Sequence, residues 1–394
     1  MDLTARINSV APSPTLAISA RAQAMRSDGI DVISLSAGEP DFPTPAPIID
    51  AAKRAMDDGK TGYVATAGIE PLREAIADDY ARRGRQIDAD QVVVSVGAKQ
   101  GLYNAAQVLF EEGDRVLVPA PYWVSYPAQV KLAGAEPVTL DCGIESEFKL
   151  QPNQLERALA DESVKGLILC TPSNPTGATY SAQELRELGA ILKDYPDVAV
   201  IFDAIYDQIY YGGELSADLT AEVPELADQV VTFNGFSKAY AMTGWRLGYA
   251  IGPSEVIGAM GKIQSQSTSN ATTFVQYAAL EAFDLDASLL ANRRDRFQDR
   301  RDLILSKLDD IDGVECPRPE GAFYVFPDFS HYVGAGAPFE DDMALAEFCL
   351  DEAHVATVPG SAFGTDGHLR FSYATSESEI EEGLDRIIRA LPES

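Results

Sequence analysis

The chain is poor in cysteine and has no long apolar run. Its 394 residues include only Cys142, Cys170, Cys316 and Cys349, without a C-x-x-C pair, so the sequence predicts neither a zinc site nor a disulfide framework. No window approaches the roughly 20 consecutive apolar residues of a membrane span. The N-terminal stretch MDLTARINSVAPSPTLAIS resembles neither a secretory signal nor a transit peptide. We therefore expect a cytoplasmic protein without a membrane segment.

Positive charge is also scarce. The chain has 61 Asp and Glu residues against 31 Lys and Arg, a formal net charge of −30, and lysine accounts for only 10 of the basic residues. This balance repels nucleic acid and anionic lipid, so neither is expected as a partner. The acidic residues are spread along the chain. Two interpretations stay open: a halophilic protein whose self-repulsion is screened by salt, or an acidic protein of an ordinary cytoplasm.

Two further kinds of site lack their residues. The histidines His331, His354 and His368 are too widely separated to predict a metal site. No G-x-G-x-x-G segment is present, so a dinucleotide site is not predicted. The carboxylates show no acid/base pair typical of hydrolases.

Seven short apolar runs dominate residues 90 to 252, each almost continuously hydrophobic, as in strands buried on both faces of a parallel sheet. They are VVVSVG (92–97), RVLVPAP (115–121), PVTLD (137–141), GLILCTP (166–172), VAVIFD (198–203), VVTFNG (230–235) and LGYAIG (247–252). Helical patterns such as KQGLYNAAQVLFEEG (99–113) lie between them, and another opens with Ser181 and Glu184 at capping-box spacing. The alternation predicts an α/β fold with a mostly parallel seven-stranded sheet flanked by helices.

The pattern changes after about residue 285. A long charged amphipathic helix is predicted over 289–311, and short strand-like runs follow in GAFYVFPDF, HVATVPG and HLRFSYA. These features favour a second, smaller α+β domain. The predicted division is an N-terminal arm that crosses back to the small domain (1–40), a large cofactor-binding domain (41–285) and a C-terminal small domain (286–394).

The residues that follow the predicted strands form a second pattern. Ligands of open parallel sheets bind beyond the carboxyl ends of the strands. A lysine, an aspartate, a tyrosine, an asparagine and a tryptophan all occur there, as in a polar site for an aromatic cofactor. The residues are Gly97, Ala98, Lys99, Trp123, Asn174, Asp203, Tyr206, Ser237 and Lys238.

Lys238 lies in GFSKAYAMTGWRLG (235–248), a stretch with little other charge. A lysine is usually a solvated charge, but small neighbours after a buried strand leave this amine little water, which lowers its pKa and suits a Schiff base. Asp203 has two interpretations: the N-cap of a helix over 204–211, or the partner of a protonated pyridine nitrogen. Gly97 and Ala98 open a helix whose free N–H groups can hold a phosphate.

Ten motifs in order resemble the class I and II aminotransferases, the fold-type I family that uses pyridoxal 5′-phosphate (PLP), and most of all its bacterial and archaeal aspartate aminotransferase branch. They are PSPTLAISARA, SAGEPDFPTP, TGYVATAGIEPLREAIA, APYWVSYP, TPSNPTGA, FDAIYDQIYY, GFSKAYAMTGWRLGYAIG, GAFYVF, VPGSAFG and HLRFSYA. They span nearly the whole chain. The resemblance implies a large PLP-binding domain and an enzyme that moves an amino group from an amino acid to a 2-oxo acid.

The resemblance also implies catalytic and cofactor-binding roles. Lys238 is implied to be the Schiff-base lysine and the general base and acid of the proton shift. Asp203 would pair with the pyridine nitrogen, and Tyr206 and Asn174 with the phenolic oxygen. The residues implied to hold the phosphate are Gly97, Ala98, Lys99, Ser237, Arg246 and, from the neighbouring subunit, Tyr63. Trp123 is implied to stack on the ring.

Substrate recognition is implied in the same way. Arg370 would grip the α-carboxylate as a bidentate fork, with Trp123, Asn174 and the backbone of Gly38 beside it. The residues implied to contact a distal carboxylate are Lys99, Ser13 and Thr15. A phosphate or surface role for Lys99 stays open. We therefore expect L-aspartate, or a related amino acid, and 2-oxoglutarate as substrates; aromatic, alanine-type or prephenate substrates and C–S or β-lyase chemistry are the alternatives.

Two positions depart from the family pattern. Gly235 stands where many relatives have serine, which removes a phosphate contact that Ser237 would have to supply, and Ala204 stands where many have glutamate. Tyr63 acting across subunits implies a homodimer with shared active sites. A ligand-sensing transcription regulator of the same fold is disfavoured, because the residues before the large domain leave no room for a helix-turn-helix domain.

Overall fold

The computed structural model describes residues 2–12 and 14–392. Ser13, predicted to help bind a distal carboxylate, lies outside the described residues. The strands are β1 (Ile33–Ser34), β2 (Val92–Ser95), β3 (Arg115–Ala120), β4 (Glu136–Asp141), β5 (Val164–Cys170), β6 (Ala199–Asp203), β7 (Val230–Gly235), β8 (Gly248–Ile251), β9 (Tyr324–Val325), β10 (Val355–Ala356), β11 (Val358–Pro359) and β12 (Leu369–Ser372).

The helices alternate with these strands over most of the chain. They are α1 (Ala5–Asn8), α2 (Pro14–Ser27), α3 (Ala46–Asp57), α4 (Glu70–Arg82), α5 (Gly97–Leu109), α6 (Ser125–Ala133), α7 (Pro152–Leu159), α8 (Ala182–Leu192), α9 (Leu219–Glu222), α10 (Ser254–Ser267), α11 (Thr273–Ala279), α12 (Ala287–Leu308), α13 (Asp342–Asp351) and α14 (Glu377–Ala390). Among the described residues, no helix combines the length and the apolar character needed to cross a membrane.

The large sheet has seven strands in the order β2-β8-β7-β6-β5-β3-β4. β8 runs antiparallel to both of its neighbours, and the pairings from β7 through β4 are parallel. The predicted seven-stranded, mostly parallel sheet is therefore confirmed. Cys170 pairs with Asp203 and Asp203 with Phe233, so β5, β6 and β7 end side by side. The segments that leave these strands emerge at one edge, where ligands of such sheets bind.

Burial on both faces is confirmed for six of the seven strands. In β5, the neighbouring residues Leu167 and Ile168 belong to different core clusters, because successive side chains point to opposite faces. The prediction is wrong for β4. This strand lies at the sheet edge and pairs with β3 alone, so Glu136 and Asp141 are exposed.

Local sequence signals account for the helix ends. The Ser181 hydroxyl accepts a hydrogen bond from the Glu184 N–H at 3.2 Å, and the Glu184 carboxylate accepts one from the Ser181 N–H at 2.7 Å, which confirms the capping box before α8. α5 ends four residues before its predicted limit of 113. Phe110 is extended there, and the Asp114 carboxylate accepts from the Glu111 N–H at 2.9 Å.

The C-terminal region has its own three-stranded antiparallel sheet in the order β11-β12-β9. It shares a core with α12 and α14 that includes Phe297, Phe323 and Leu384. β1, near the N-terminus, pairs in parallel with β10, with Ile33 opposite Val355. The N-terminal segment thus crosses to the C-terminal region. The division into three units at residues 40 and 285 stays a prediction.

Candidate active site

A cavity of about 660 Å³ opens beyond the carboxyl ends of β5, β6 and β7. The N-terminal segment and strands β9 and β12 complete its wall. The sequence-predicted residues that line it are Thr15, Gly38, Ala98, Lys99, Trp123, Asn174, Asp203, Tyr206, Ser237, Lys238, Arg246 and Arg370. Gly97 lies behind Arg246 rather than on the wall, and Tyr63 is 90% exposed.

Lys238 lies between β7 and β8, on the cavity wall. Its Nζ donates a hydrogen bond to the Gly38 carbonyl oxygen and lies 5.7 Å from the centroid of the Tyr206 ring and 5.8 Å from that of Phe323. Burial, assisted by the positive charge of Arg370, lowers the pKa of the Lys238 amine to about 8. A sizeable fraction of this amine is therefore neutral near neutral pH, as a nucleophile or base requires.

Asp203 ends β6 and is only 3% exposed. Its Oδ2 accepts a hydrogen bond from the Tyr126 hydroxyl at 2.8 Å, and its Oδ1 accepts one from the Ile205 N–H at 3.2 Å. Burial raises the pKa of Asp203 to about 6, opposed by the Tyr126 hydrogen bond. Residues 205–208 form turns rather than a helix, so the N-cap interpretation is wrong. This carboxylate lacks a cationic partner within hydrogen-bond distance among the described residues, and a protonated ring nitrogen would supply one.

Arg370 projects from β12 into the cavity and is 2% exposed. Its Nη2 donates to the Ser36 carbonyl oxygen at 2.7 Å and its Nη1 to Asn174 Oδ1 at 3.0 Å, while Nε has no partner among the described residues. The guanidinium carbon lies 4.6 Å from the centroid of the Tyr324 ring and 5.0 Å from that of Phe363. A buried guanidinium without a carboxylate is costly, so the arrangement favours binding of an anionic substrate group.

Tyr206 and Asn174 lie at the same end of the cavity as Lys238 and Arg370. The Tyr206 hydroxyl is 3.0 Å from that of Tyr324, and either hydroxyl can donate. Burial raises the pKa of the Tyr206 phenol well above its ordinary value, so it is a hydrogen-bond donor at neutral pH.

The opposite corner combines a helix N-terminus with Arg246. α5 begins at Gly97, whose φ of +73° lies in the left-handed region, and a Cβ there would come within 2.6 Å of Arg246 Nη2. A Cβ on Gly248 would lie 2.3 Å from the Ala98 nitrogen. Two glycines thus allow the arginine and strand β8 to approach the N-terminus of α5. Backbone N–H groups beside a guanidinium suit a phosphate.

The departure at Gly235 has a steric reason. A Cβ on this residue would lie 2.8 Å from the Gly248 Cα and 3.0 Å from the Leu247 carbonyl oxygen, both backbone atoms. A serine would force the antiparallel strands apart, so its hydroxyl has no room here. Ser237 and Thr243 line the cavity together with Arg246, and the Thr243 hydroxyl already donates a hydrogen bond to Glu39 at 2.7 Å.

Ala204, the second departure, faces away from the active-site cavity. It lines a separate cavity of about 200 Å³ together with Arg83 and Arg85. Arg83 pairs with Asp207 at 2.6 Å, whereas Arg85 donates to the Thr232 hydroxyl at 2.7 Å. The missing glutamate therefore affects a charged cluster behind the site and leaves the cavity around Lys238 unchanged.

Lys99 is exposed and lines the cavity, with its Nζ 4.7 Å from the centroid of the Trp123 ring. Partial desolvation, together with the charge of Arg246, lowers the pKa of the Lys99 amine. Thr15 lies on α2, and its buried hydroxyl has no partner among the described residues. These two residues give the cavity polar groups besides Arg370, as recognition of a second carboxylate would need.

Several lining residues were not singled out from the sequence: Ser36, Glu39, Tyr126, Cys170 and Tyr324. Tyr126 and Tyr324 occur inside the motifs APYWVSYP and GAFYVF, so their motifs signalled the region without identifying the residue. Glu39 accepts a hydrogen bond from the Thr243 hydroxyl at 2.7 Å, close to Arg246.

Comparison with known proteins decides the family. The sequence pattern of Aminotransferase class I and II matches residues 30–387. The chain belongs to this family. It is 48% identical to the aspartate/prephenate aminotransferase of Cereibacter sphaeroides, over 96% of either chain. It is 42% identical to the aspartate aminotransferase of Bacillus subtilis, over 99% of this chain and 98% of the relative.

Solved structures of aminotransferases agree with this assignment. The aspartate aminotransferase of Rhizobium meliloti superposes with a TM-score of 0.95 at 42% identity, covering 99% of this chain and 98% of the other. That of Thermus thermophilus with maleate gives 0.93 at 40% identity, covering 99% and 100%. The protein is a PLP-dependent aminotransferase with the fold of its family.

The residues present fit PLP. The cofactor needs an amine for its aldehyde, an anion for its ring nitrogen, donors for its ring oxygen and a cradle for its phosphate. The cavity offers Lys238 with a lowered pKa, the otherwise cation-free carboxylate of Asp203 and the hydroxyl of Tyr206. The corner formed by Gly97, Gly248 and Arg246 supplies the cradle for the phosphate.

Proposed function

We propose that this aminotransferase transfers the amino group of L-aspartate, or a related amino acid, to 2-oxoglutarate by a ping-pong mechanism. The observation that carries the proposal is the buried Arg370, which has no carboxylate partner among the described residues, in a cavity that Lys99 also lines. Two cations beside one amine suit a dicarboxylic amino acid. The names of the Cereibacter and Bacillus relatives support the same substrate class.

Each residue has a proposed task in that reaction. When bound, PLP supplies a ring that withdraws electrons from the bond between the substrate Cα and its proton. The neutral Lys238 amine removes this proton and later returns one to complete the transfer. Asp203, as an anion, keeps a proton on the ring nitrogen. Tyr206 and Asn174 donate hydrogen bonds to the ring oxygen, and Arg370 orients the substrate through its α-carboxylate.

The remaining predicted residues complete the proposed binding site. Trp123 lies against the ring, and the Gly38 carbonyl orients the Lys238 amine. The phosphate is held by the N-terminus of α5, Ser237 and Arg246. The residues proposed to read a distal carboxylate are Lys99, Thr15 and Ser13.

A homodimer with shared active sites is part of the proposal. Tyr63 is 90% exposed in the single chain, and Leu3, Ile7 and Met56 are also exposed, as expected for side chains that a second subunit covers. Coexpression of Tyr63→Ala with Lys238→Ala tests this. A shared site restores activity that neither variant has alone, because one of the two sites in the mixed dimer is intact; independent sites restore none.

We also propose that the arm (1–40), the large domain (41–285) and the small domain (286–394) are separate structural units. We further propose that the protein works in a salt-rich cytoplasm. The pairing of Ile33 with Val355 supports the association of the arm with the small domain. The net charge of −30 supports the salt-rich setting.

The experiment for the main proposal is Lys238→Ala, with the exposed Lys53→Ala as the matched control. Loss of covalently held PLP and of transamination is expected in the first variant alone, because Lys238 lines the cavity whereas Lys53 lies in an exposed ion pair. In the unmodified enzyme, aspartate should convert bound PLP to its amine form once per site, and 2-oxoglutarate should reverse this. Steady release of pyruvate without an acceptor would favour β-lyase chemistry instead.

Aromatic, alanine-type or prephenate substrates are the second candidate, supported by the prephenate in the name of the Cereibacter relative. Parallel measurements of kcat/KM for aspartate, phenylalanine, alanine and the amine form of prephenate would rank them.

A further inference from the structure

We propose that the Tyr324 hydroxyl is a positioning group that links the carboxylate site at Arg370 to Tyr206 and strengthens the hydrogen bond that Tyr206 donates to the cofactor. This inference rests on the proposed function, in particular on the roles of Tyr206 and Arg370.

The small sheet fixes Tyr324 beside Arg370. Tyr324 on β9 pairs with Ser372 on β12, and Arg370 lies two residues before Ser372, so both side chains point to the same face. The guanidinium carbon lies 4.6 Å from the centroid of the Tyr324 ring. Cation and ring are both buried, and a cation–π contact is stronger when it is desolvated.

The other end of Tyr324 meets Tyr206. Their hydroxyls are 3.0 Å apart and both side chains are buried, with ring centroids 5.9 Å apart. Tyr206 follows β6 of the large sheet, whereas Tyr324 belongs to the C-terminal sheet. The hydroxyl pair therefore joins two separate sheets at the wall of the cavity.

The number of hydroxyl protons decides the direction of this hydrogen bond. Tyr206 has one hydroxyl proton, which the proposed function assigns to the ring oxygen of the cofactor, so Tyr324 is the donor of the pair. Arg370, whose guanidinium carbon lies 4.6 Å from the centroid of the Tyr324 ring, favours donation by that phenol. The Tyr206 oxygen accepts this bond, which leaves the proton of Tyr206 free for the cofactor.

A chain of polarised groups follows: Arg370, Tyr324, Tyr206 and the ring oxygen of bound PLP. Each hydrogen bond in such a chain strengthens the next. A substrate carboxylate that binds Arg370 neutralises the cation over the Tyr324 ring and weakens the chain. Asn174, which accepts from Arg370 Nη1 at 3.0 Å, provides a parallel link that does not depend on Tyr324.

Tyr324→Phe tests the proposal, because it removes the hydroxyl and keeps the ring. The readout is a pH titration of the visible absorbance of lysine-bound PLP in the substrate-free holoenzyme. A hydrogen bond to an ionised oxygen lowers its pKa by about 1–2 units, and a polarising neighbour adds about 10–30% to such a bond, so the midpoint is expected to rise by about 0.3 unit.

Tyr373→Phe is the matched control. The Tyr373 hydroxyl forms a second tyrosine pair with Tyr211 at 2.9 Å, also between the C-terminal sheet and the rest of the chain, but neither residue lines the cavity. Its midpoint is expected to equal that of the unmodified enzyme. The other titratable or charged groups facing Tyr324, Tyr206 and Lys238 are common to all these proteins and cancel in the comparison; they are Glu39, Tyr126, Cys170, Asp203, Arg246 and Arg370.

A second measurement uses maleate as an unreactive carboxylate probe. Saturating maleate is expected to shift the midpoint less in Tyr324→Phe than in the unmodified enzyme, because the part carried by the hydroxyl is missing. In a Tyr206→Phe background, Tyr324→Phe should have no further effect on the midpoint. The proposal would be overturned if Tyr324→Phe and the unmodified enzyme gave the same titration, or if maleate shifted both midpoints equally. It would also be overturned if Tyr324→Phe had its full effect in the Tyr206→Phe background. Failure of the proposed function itself would look different: aspartate would not convert the bound PLP of the unmodified enzyme to its amine form.

Discussion

The deep end and the mouth of the cavity are built from different parts of the chain. We define the deep end by Asp203, Tyr206, Lys238 and Arg370. The strand residues Asp203 and Arg370 are fixed by sheet register, and both they and Tyr206 are less than 5% exposed. Rigid placement in a site with little water gives these groups their shifted pKa values.

The mouth, which we define by Thr15, Gln23, Arg26 and Lys99, consists of side chains on α2 and α5. Gln23, Arg26 and Lys99 are exposed. Helix side chains in water can be exchanged at little cost to stability. The contrast teaches that the sheets and the segments that leave them position the deep end, whereas two helices supply the side chains of the mouth.

Asp203→Asn tests the deep end, and the largest effect is expected there. An amide cannot hold the proton on the ring nitrogen, so kcat should fall by about 10³-fold, as when a preorganised charge partner is lost. Stability of the cofactor-free protein should not fall, because the buried carboxylate is itself unfavourable. Asp50→Asn at an exposed ion pair is the control. Unchanged kcat would contradict the assigned role.

Lys99→Met tests the mouth. The variant keeps the apolar stem beside Trp123 and removes the charge, so kcat/KM for aspartate should fall about 10- to 100-fold while that for alanine stays the same. Steady-state kinetics with both donors measure this, with the exposed Lys193→Met as control. An equal loss for both donors would assign Lys99 to the phosphate.

Tyr126→Phe perturbs the deep end through the hydrogen bond that Asp203 accepts, and leaves Asp203, Tyr206, Lys238 and Arg370 themselves unchanged. Asp203 loses the hydroxyl that stabilises its ionised form, so its pKa should rise above about 6 by about one unit. Only the ionised carboxylate holds the ring proton. As the pH is lowered, PLP affinity should therefore begin to fall at a higher pH in the variant than in the unmodified protein. Titrating the cofactor-free protein with PLP between pH 5 and 8, beside Tyr373→Phe, measures the shift; coincident profiles would refute it.

Gly235→Ser tests whether the end of β7, three residues before Lys238 of the deep end, tolerates an added side chain. The clash with the backbone of Gly248 and Leu247 should destabilise the cofactor-free protein by about 1–3 kcal/mol in urea unfolding. Gly244→Ser, at a glycine of the same segment with open space around it, should be nearly neutral. Tighter PLP binding at unchanged stability would show that the strands can separate.

Potassium chloride should act on the acidic surface and leave the deep end unchanged. Raising KCl from 0.1 to 1 M shortens the screening length from about 10 to 3 Å, which reduces self-repulsion of the −30 charge. The thermal midpoint should rise by about 1–2 °C, the shift expected of about 1 kcal/mol in a chain of 394 residues. A midpoint that falls with KCl would contradict the salt-rich setting.

The sequence predicted the deep end better than its surroundings. Lys238 and Asp203 follow apolar runs, and parallel strands bring their carboxyl ends together, so their proximity follows from local patterns. Tyr324 was missed because GAFYVF is typical of a core strand, and only the pairing of β9 with β12 places it beside Arg370. Long-range register of this kind is not encoded in local periodicity.

The burial of β4 and the reason for glycine at position 235 also depend on contacts between residues distant in the sequence. The burial of β4 was predicted wrongly because an apolar run does not reveal whether its strand lies at the centre or the edge of a sheet. At Gly235 the missing hydroxyl was visible in the sequence, but the crowding that explains it comes from Gly248 across the antiparallel pair.

The hydrogen bond from Arg370 to the Ser36 carbonyl oxygen joins residues 334 positions apart. During synthesis at about 5–20 residues per second, residue 36 leaves the ribosome many seconds before its partner exists. The large sheet, complete at β8, can fold in the meantime, but the pocket for the substrate carboxylate cannot. The contact between Ser36 and Arg370 therefore forms only after every strand of the large sheet has been synthesised.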